Sequence, residues 1–251
     1  MTEVTCECIG CEIVKTKDLI RQTVWGANAR GVVIGISGGL DSAVACALCC
    51  KALSPERVLG VNMPVSTNDP ADHDDAEELC RGLGVELITV PLDDVRAAFL
   101  AAPHITDTPV LRGNIAARLR MTTLYNIAAA RSLLVCGTSN KTEYMIGYST
   151  KWGDSAADIQ PLLHLWKKDV YLLAKELSVP ESIIRKAPSA GFWEGQSDEG
   201  ELGMTYADLD AALIELEKNG GVPNNANEEK ALGFIQCSRH KRAPAANRLF
   251  T

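Results

Sequence analysis

Residues Gly31 to Ser42 read GVVIGISGGLDS, a short apolar and largely β-branched run that breaks into two glycines flanked by hydroxyl residues. Gly31 to Ile36 has the composition of a buried strand. Ala43 to Leu53 (AVACALCCKAL) is apolar enough for a buried helix and is stopped by Ser54-Pro55. Strand, glycine loop and helix in that order put permissive backbone where the unpaired N–H groups of a helix begin.

Outward from this stretch the alternation repeats. Arg57 to Asn62 reads as a strand, Asp72 to Leu83 as a helix closed by Gly84, Val85 to Val90 as a strand and Asp93 to Ala102 as a helix. Residues 103–112 form a proline-containing loop, Asn114 to Arg131 a long helix, and Ser132 to Cys136 a fourth strand followed by GTSNKTE. Upstream, Ile13, Val14, Leu19, Ile20, Val24 and Trp25 are spaced for an amphipathic helix over residues 12–28, suited to covering a sheet or a subunit partner. The pattern predicts an α/β fold, a doubly wound and mostly parallel sheet with helices on both faces. From about residue 147 the chain turns irregular between helices expected near 167–177, 181–186, 205–218 and 228–238, which read as lids and walls of a site. With no repeat and no linker, residues 1–251 are expected to be one domain with a helical C-terminal part.

The net charge of −7 and a pI near 5.2 argue against a nucleic-acid partner, which needs a basic face. No apolar run reaches the roughly 18 residues that span a bilayer, and the N-terminus lacks the pattern of a signal peptide, so a cytoplasmic location is expected. The nine cysteines include Cys46, Cys49 and Cys50 in one apolar helical stretch, as for buried thiols in a reducing compartment. Cys6, Cys8 and Cys11 lack a fourth ligand of recognisable spacing and make a weak zinc signal.

In a parallel sheet, ligands sit beyond the carboxyl ends of the strands, where the first helix offers its N–H groups and positive dipole end to an anion. Gly38 and Gly39 let backbone amides approach phosphate oxygens, and Ser37 and Ser42 add hydroxyls. The loop has neither the lysine of GxxxxGK[ST] nor the GxGxxG pattern. A carboxylate at Asp41 would repel a phosphate unless a hard cation lay between them, which points to magnesium. On its own an Asp in a glycine turn also serves as a helix N-cap.

GISGGLDS after a strand resembles the SGGxDS loop of the N-type ATP pyrophosphatases, which release pyrophosphate whole from ATP. Five further segments resemble ammonia-dependent NAD synthetase, in order and over most of the chain: GNIAARLRM (Gly113 to Met121), Val135 to Leu162 with its GTSNKTE and TKWGD stretches, LWKKDVY (Leu165 to Tyr171), Val179 to Gly203, and RHKR (Arg239 to Arg242). The resemblance implies a Rossmann-like, adenine nucleotide alpha hydrolase-like fold and ATP-dependent amidation of deamido-NAD (nicotinic acid adenine dinucleotide) to NAD through an adenylated intermediate. It implies that Gly35, Ile36, Ser37, Gly38, Gly39, Leu40, Asp41 and Ser42, with Thr138, Lys167 and Ser189, bind ATP, and that Asp41 and Glu143 bind magnesium. Lys167 would neutralise charge on the leaving pyrophosphate. Arg118, Lys151, Asp158, His240 and Lys241 would hold deamido-NAD, with Asp158 contacting the pyridine end or orienting ammonia. Family members are homodimers with a site shared between subunits.

Each residue also has a plainer reading: Arg118 as a solvated helix charge, Glu143 as a first-turn carboxylate, Lys151 as a loop charge, Asp158 as an N-cap, Lys167 as a helix-surface charge, His240 and Lys241 as tail. A glutaminase domain has no room in 251 residues and no cysteine sits in a nucleophile elbow, so free ammonia is expected. Phe192 to Gly203, with Trp193 among glycines and acids, is expected to be a mobile lid. The alternatives are a different N-type ATP pyrophosphatase, amidating or thiolating another acceptor, and a nucleotide-binding module without turnover.

Overall fold

The structure is a computed structural model that describes residues 8–193 and 195–245. Helix α1 (Ile9–Gly26) leads into β1 (Val32–Gly35), α2 (Leu40–Leu53), a single 3-10 turn (Pro55–Arg57), β2 (Val58–Asn62), α3 (Pro70–Leu83), β3 (Glu86–Thr89), α4 (Asp93–Leu100), α5 (Pro109–Arg131) and β4 (Leu134–Cys136). The remaining helices are α6 (Lys141–Ile146), α7 (Lys167–Glu176), α8 (Glu181–Arg185), α9 (Asp198–Leu202), α10 (Tyr206–Lys218), α11 (Ala226–Cys237) and α12 (Arg239–Arg242). The four strands form one parallel sheet in the order β3-β2-β1-β4, with Val32 beside both Val58 and Leu134.

Because β1 is central, its Val and Ile side chains alternate between two apolar layers. Val32 and Ile34 pack with α1, α2 and α7 on one face, while Val33 packs with Leu59, Val61 and the α5 residues Ala116 and Ala128 on the other. A third apolar cluster joins Ile146 and Trp166 to Leu209, Leu213 and Ala231 of α10 and α11. The C-terminal helices therefore dock where α6 and α7 begin, beside the carboxyl edge of the sheet.

Two elements differ from their expected form. Helix α5 begins at Pro109, inside the expected loop: the Thr108 hydroxyl accepts from the Leu111 N–H and proline occupies the first turn, where its missing N–H costs nothing. The expected lid carries a short helix, α9, capped by Ser197, whose side chain accepts from the Gly200 N–H. At the N-terminus Cys6 lies outside the described residues. The Cys8 thiol caps α1 by accepting from the Cys11 N–H, and among the described residues no group of three or more His, Cys, Asp or Glu is placed to hold a metal. None of the described helices is long and apolar enough to cross a membrane.

Candidate active site

β1 ends at Gly35 and the chain turns through Ser37 to Gly39 into α2. Gly38 takes φ +77°, a left-handed conformation that a side chain disfavours, and its Cα faces the backbone of Asp72 at the start of α3. The turn is braced from within: Ser42 Oγ donates to the Gly39 carbonyl at 2.9 Å, lies 3.1 Å from Ser37 Oγ and accepts from the Ser37 N–H at 3.3 Å. No side chain caps the N-terminus of α2, so its first amides are left for another acceptor.

Across the sheet edge, β4 delivers α6 and, further on, α7. The sequence SNKTE folds as a capping box in which the Asn140 side chain accepts from the Glu143 N–H and Glu143 accepts from the Asn140 N–H. Asn140 also donates from Nδ2 to Asp41 Oδ1 at 2.8 Å. Lys167, the first residue of α7, reaches Asp41 Oδ2 at 2.5 Å and Glu143 Oε1 at 3.6 Å, with its side chain only 3% exposed. Its ammonium lies 4.9 Å from the centre of the Tyr206 ring. Behind it, the buried Asp210 carboxylate accepts from the Thr142 hydroxyl and from the Lys168 N–H, while Thr142 Oγ1 accepts from the Lys167 N–H at 3.0 Å. One carboxylate on α10 thus ties together the first turns of α6 and α7.

Burial, then the adjacent Asp41 charge, pushes the Glu143 carboxyl up to about 8, against the pull of Lys167. Burial works against the Lys167 ammonium, yet Asp41 and Glu143 outweigh it and the group stays charged. Because folding raises the Glu143 pKa from an ordinary value of 4.5, the folded state binds the extra proton between 4.5 and about 8. Ligand-free stability should therefore fall as pH rises through that window. Urea unfolding between pH 5 and 8.5 measures the slope, and Glu143→Gln should flatten it; an unchanged slope in the variant would contradict the assignment.

Gly35, Ile36, Ser37, Gly39, Leu40, Asp41, Ser42, Thr138, Glu143, Lys167, Ser189 and Lys241 all line one cavity of about 1020 Å³ at the carboxyl edge of the sheet. Gly38 is not among the lining residues and packs against the Asp72 backbone. Four further expected residues lie outside the cavity. Arg118 is exposed and donates to the Lys151 carbonyl at 3.2 Å, and Lys151 Nζ donates to the His240 carbonyl at 2.6 Å. Asp158 is exposed beside β4, where its carboxylate accepts from the Val135 N–H at 2.8 Å and from the Tyr125 hydroxyl at 3.2 Å. Lys241 connects this outer cluster to the cavity, donating to the Gly147 and Ser149 carbonyls at 2.8 and 2.6 Å.

The sequence reading did not single out Asn140, Arg120, Lys186 or Asp198. Lys186 Nζ bridges Asp72, at 2.9 Å, and Asp75 on α3. Asp198 accepts from the hydroxyls of Tyr148 and Tyr206. Downstream of Lys186 the Gly191 carbonyl accepts from Thr67 and Asn68, and the Phe192 ring lies against Gly113, where a Cβ would collide with it. The first residue of the expected lid therefore rests on α5, and the residue just before it on the loop after β2.

Solved structures share this architecture. An NMN synthetase from Francisella tularensis superposes with a TM-score of 0.89 at 38% identity, covering 96% of this chain and 98% of that one. An NH3-dependent NAD synthetase from Campylobacter jejuni gives 0.83 at 31% identity, with 96% and 99% covered. Among curated relatives, an NH(3)-dependent NAD(+) synthetase from Methanoregula boonei is 50% identical over 241 residues, 96% of this chain and 97% of that protein. Fold and likeness together define an α/β enzyme of the ligase type. The model of the NAD synthase family matches residues 12–245, and the chain belongs to that family.

Proposed function

We propose that this protein forms NAD+ by amidating deamido-NAD with free ammonia, at the expense of ATP cleaved to AMP and diphosphate. The observation that carries the reading is the convergence of Asp41, Glu143 and Lys167 beside the glycine turn in one cavity. A carboxylate resists attack by ammonia because its leaving group would be an oxide. The nicotinate oxygen therefore attacks the α-phosphorus, the α–β anhydride bond breaks, and diphosphate leaves onto the amides of Ser37 to Ser42. Ammonia next attacks the acyl carbon, the bond to AMP breaks, and one proton is released.

Thr138 and Ser189, with Gly35, Ile36 and Leu40, hold ATP beside the turn, and Lys167 offsets charge on the departing diphosphate. Magnesium, when bound, supplies further neutralisation of the polyphosphate. Asp41 and Glu143 would hold it: they already converge on one cation, the Lys167 ammonium, and two carboxylates plus phosphate oxygens suit a hard ion. Arg118, Lys151, Asp158, His240 and Lys241 hold the acceptor, with Asp158 at its pyridine end. Because four of these five lie outside the cavity, the reading includes a homodimer in which the acceptor site is shared. The exposed Val14, Leu19 and Trp25 of α1 supply an apolar face for that contact. The reading further takes the chain as one domain working in the cytoplasm.

The test is product analysis with ATP, deamido-NAD and either ammonium or glutamine. Ammonium should give NAD+, AMP and diphosphate in equal amounts. Formation of ADP and phosphate, or hydrolysis of glutamine by the isolated chain, would sink the reading. A second reading, amidation of nicotinic acid mononucleotide, is favoured by the superposition on an NMN synthetase. The ratio of kcat/KM for the mononucleotide to that for the dinucleotide decides between them.

A further inference from the structure

Four lysine or arginine side chains line the cavity: Arg120, Lys167, Lys186 and Lys241. Lys167 is paired with Asp41 and Glu143, and Lys186 with Asp72 and Asp75. Lys241 is assigned above to the acceptor. Arg120 has no such place, and among the described residues no carboxylate lies within ion-pair distance of it.

Its position follows from helix geometry. Gly113, Ala117 and Ala116 are buried on α5, and Asn114, Ala117, Met121 and Leu124 line the cavity at spacings of three and four residues. Arg120 shares that stripe, whereas Arg118, two residues earlier, points to solvent. The guanidinium donates from Nε to the Met63 carbonyl at 3.2 Å and from Nη2 to Asn68 Oδ1 at 3.1 Å. Both acceptors are neutral, and Nη1 has no protein acceptor among the described residues. Burial works against this partly buried guanidinium; the Asp154 charge offsets part of that cost, Arg96 adds to it and Asp72 relieves it slightly, and neither carboxylate is within ion-pair distance. A guanidinium fixed by two bonds, with further N–H groups facing a cavity, is built to receive an oxyanion.

We infer that Arg120 is a binding residue for phosphate oxygens of a bound nucleotide, with Nη1 as the donor and the Met63 and Asn68 contacts as its mount. Phosphate oxygens reach this cavity from ATP or from the dinucleotide acceptor. The inference rests on the amidation reading for its substrates, and that reading is checked separately by turnover of the wild-type protein.

The experiment compares wild type, Arg120→Met, Arg120→Lys and Asn68→Ala, with KM measured for each nucleotide and affinity for each measured by calorimetry without turnover. Arg120→Met should raise KM and Kd for one nucleotide by about 10- to 100-fold, the value of a hydrogen bond to a charged group. Which nucleotide is affected identifies the source of the phosphate. Asn68→Ala removes one of the two mounts and keeps the guanidinium, so it should weaken the same nucleotide by clearly less than Arg120→Met does. If Arg120→Met leaves both affinities unchanged, or if Asn68→Ala reproduces its loss, Arg120 is only a brace between α5 and the loop after β2. Should Arg120→Met fail to fold, Arg120→Lys replaces it: weaker binding of one nucleotide supports the inference and unchanged binding refutes it. Absence of turnover in the wild type would overturn the amidation reading, and calorimetry with ATP would still test Arg120.

Discussion

Lys167→Met is expected to lower kcat by about 10²- to 10³-fold, the range for removing one preorganised charge from a developing anion. The ammonium is buried to 3% exposure and sits between two carboxylates, so no solvent cation replaces it at the same point without reorganisation. Its loss also leaves Asp41 and Glu143 to repel each other, which should raise the Glu143 pKa above its value of about 8. Single-turnover formation of AMP at saturating ATP isolates the chemical step. A variant that keeps kcat and loses only ATP affinity would confine Lys167 to ground-state binding. Lys167→Arg should recover little, because a planar fork does not fit a gap measured for one nitrogen.

The second large effect belongs to Gly38→Ala. A Cβ there would lie 2.8 Å from Asp72 Cα and closer still to the Asp72 carbonyl oxygen, and φ of +77° adds strain of about 1 kcal/mol or more. Backbone cannot yield as a flexible side chain would, so the turn must move away from α3. A displacement near 1 Å in a group that positions a reacting phosphate costs about 10²-fold. The expected result is a drop of at least that size in kcat/KM for ATP, with the far-UV spectrum unchanged because the sheet and helices lie behind the turn. Normal kinetics in Gly38→Ala would mean that the turn does not set the position of the phosphates. Gly39→Ala should cost less, because its Cβ would meet only Ser37 Oγ, at 3.2 Å.

How much of this was readable in the sequence depended on range. The sheet was legible because its strands are short, mostly apolar runs closed by turns, with helical stretches between them. The start of α5 was not, because a proline reads equally as a loop residue and, in Thr108-Pro109, as the capped first turn of a helix. Asp41 follows from a carboxylate placed in the glycine loop and Glu143 and Lys167 from family resemblance, while the approach of both carboxylates to within 3.6 Å of the Lys167 ammonium is a matter of topology that no local pattern contains. Family resemblance points to Arg118 and leaves Arg120 without a role, although helical phase from Gly113 and Ala117 separates the two faces. Asn140 could have been found, since SNKTE carries the signature of a capping box; its bond to Asp41 could not.

The bond network of Asp210 places the active geometry under remote control. That carboxylate touches no cavity-lining side chain, yet it fixes the ends of the two helices that carry Glu143 and Lys167. Damage to α10 would thus silence catalysis while the β-sheet and its glycine turn stayed whole, so a spectroscopically folded sample of this enzyme is no guarantee of an active one.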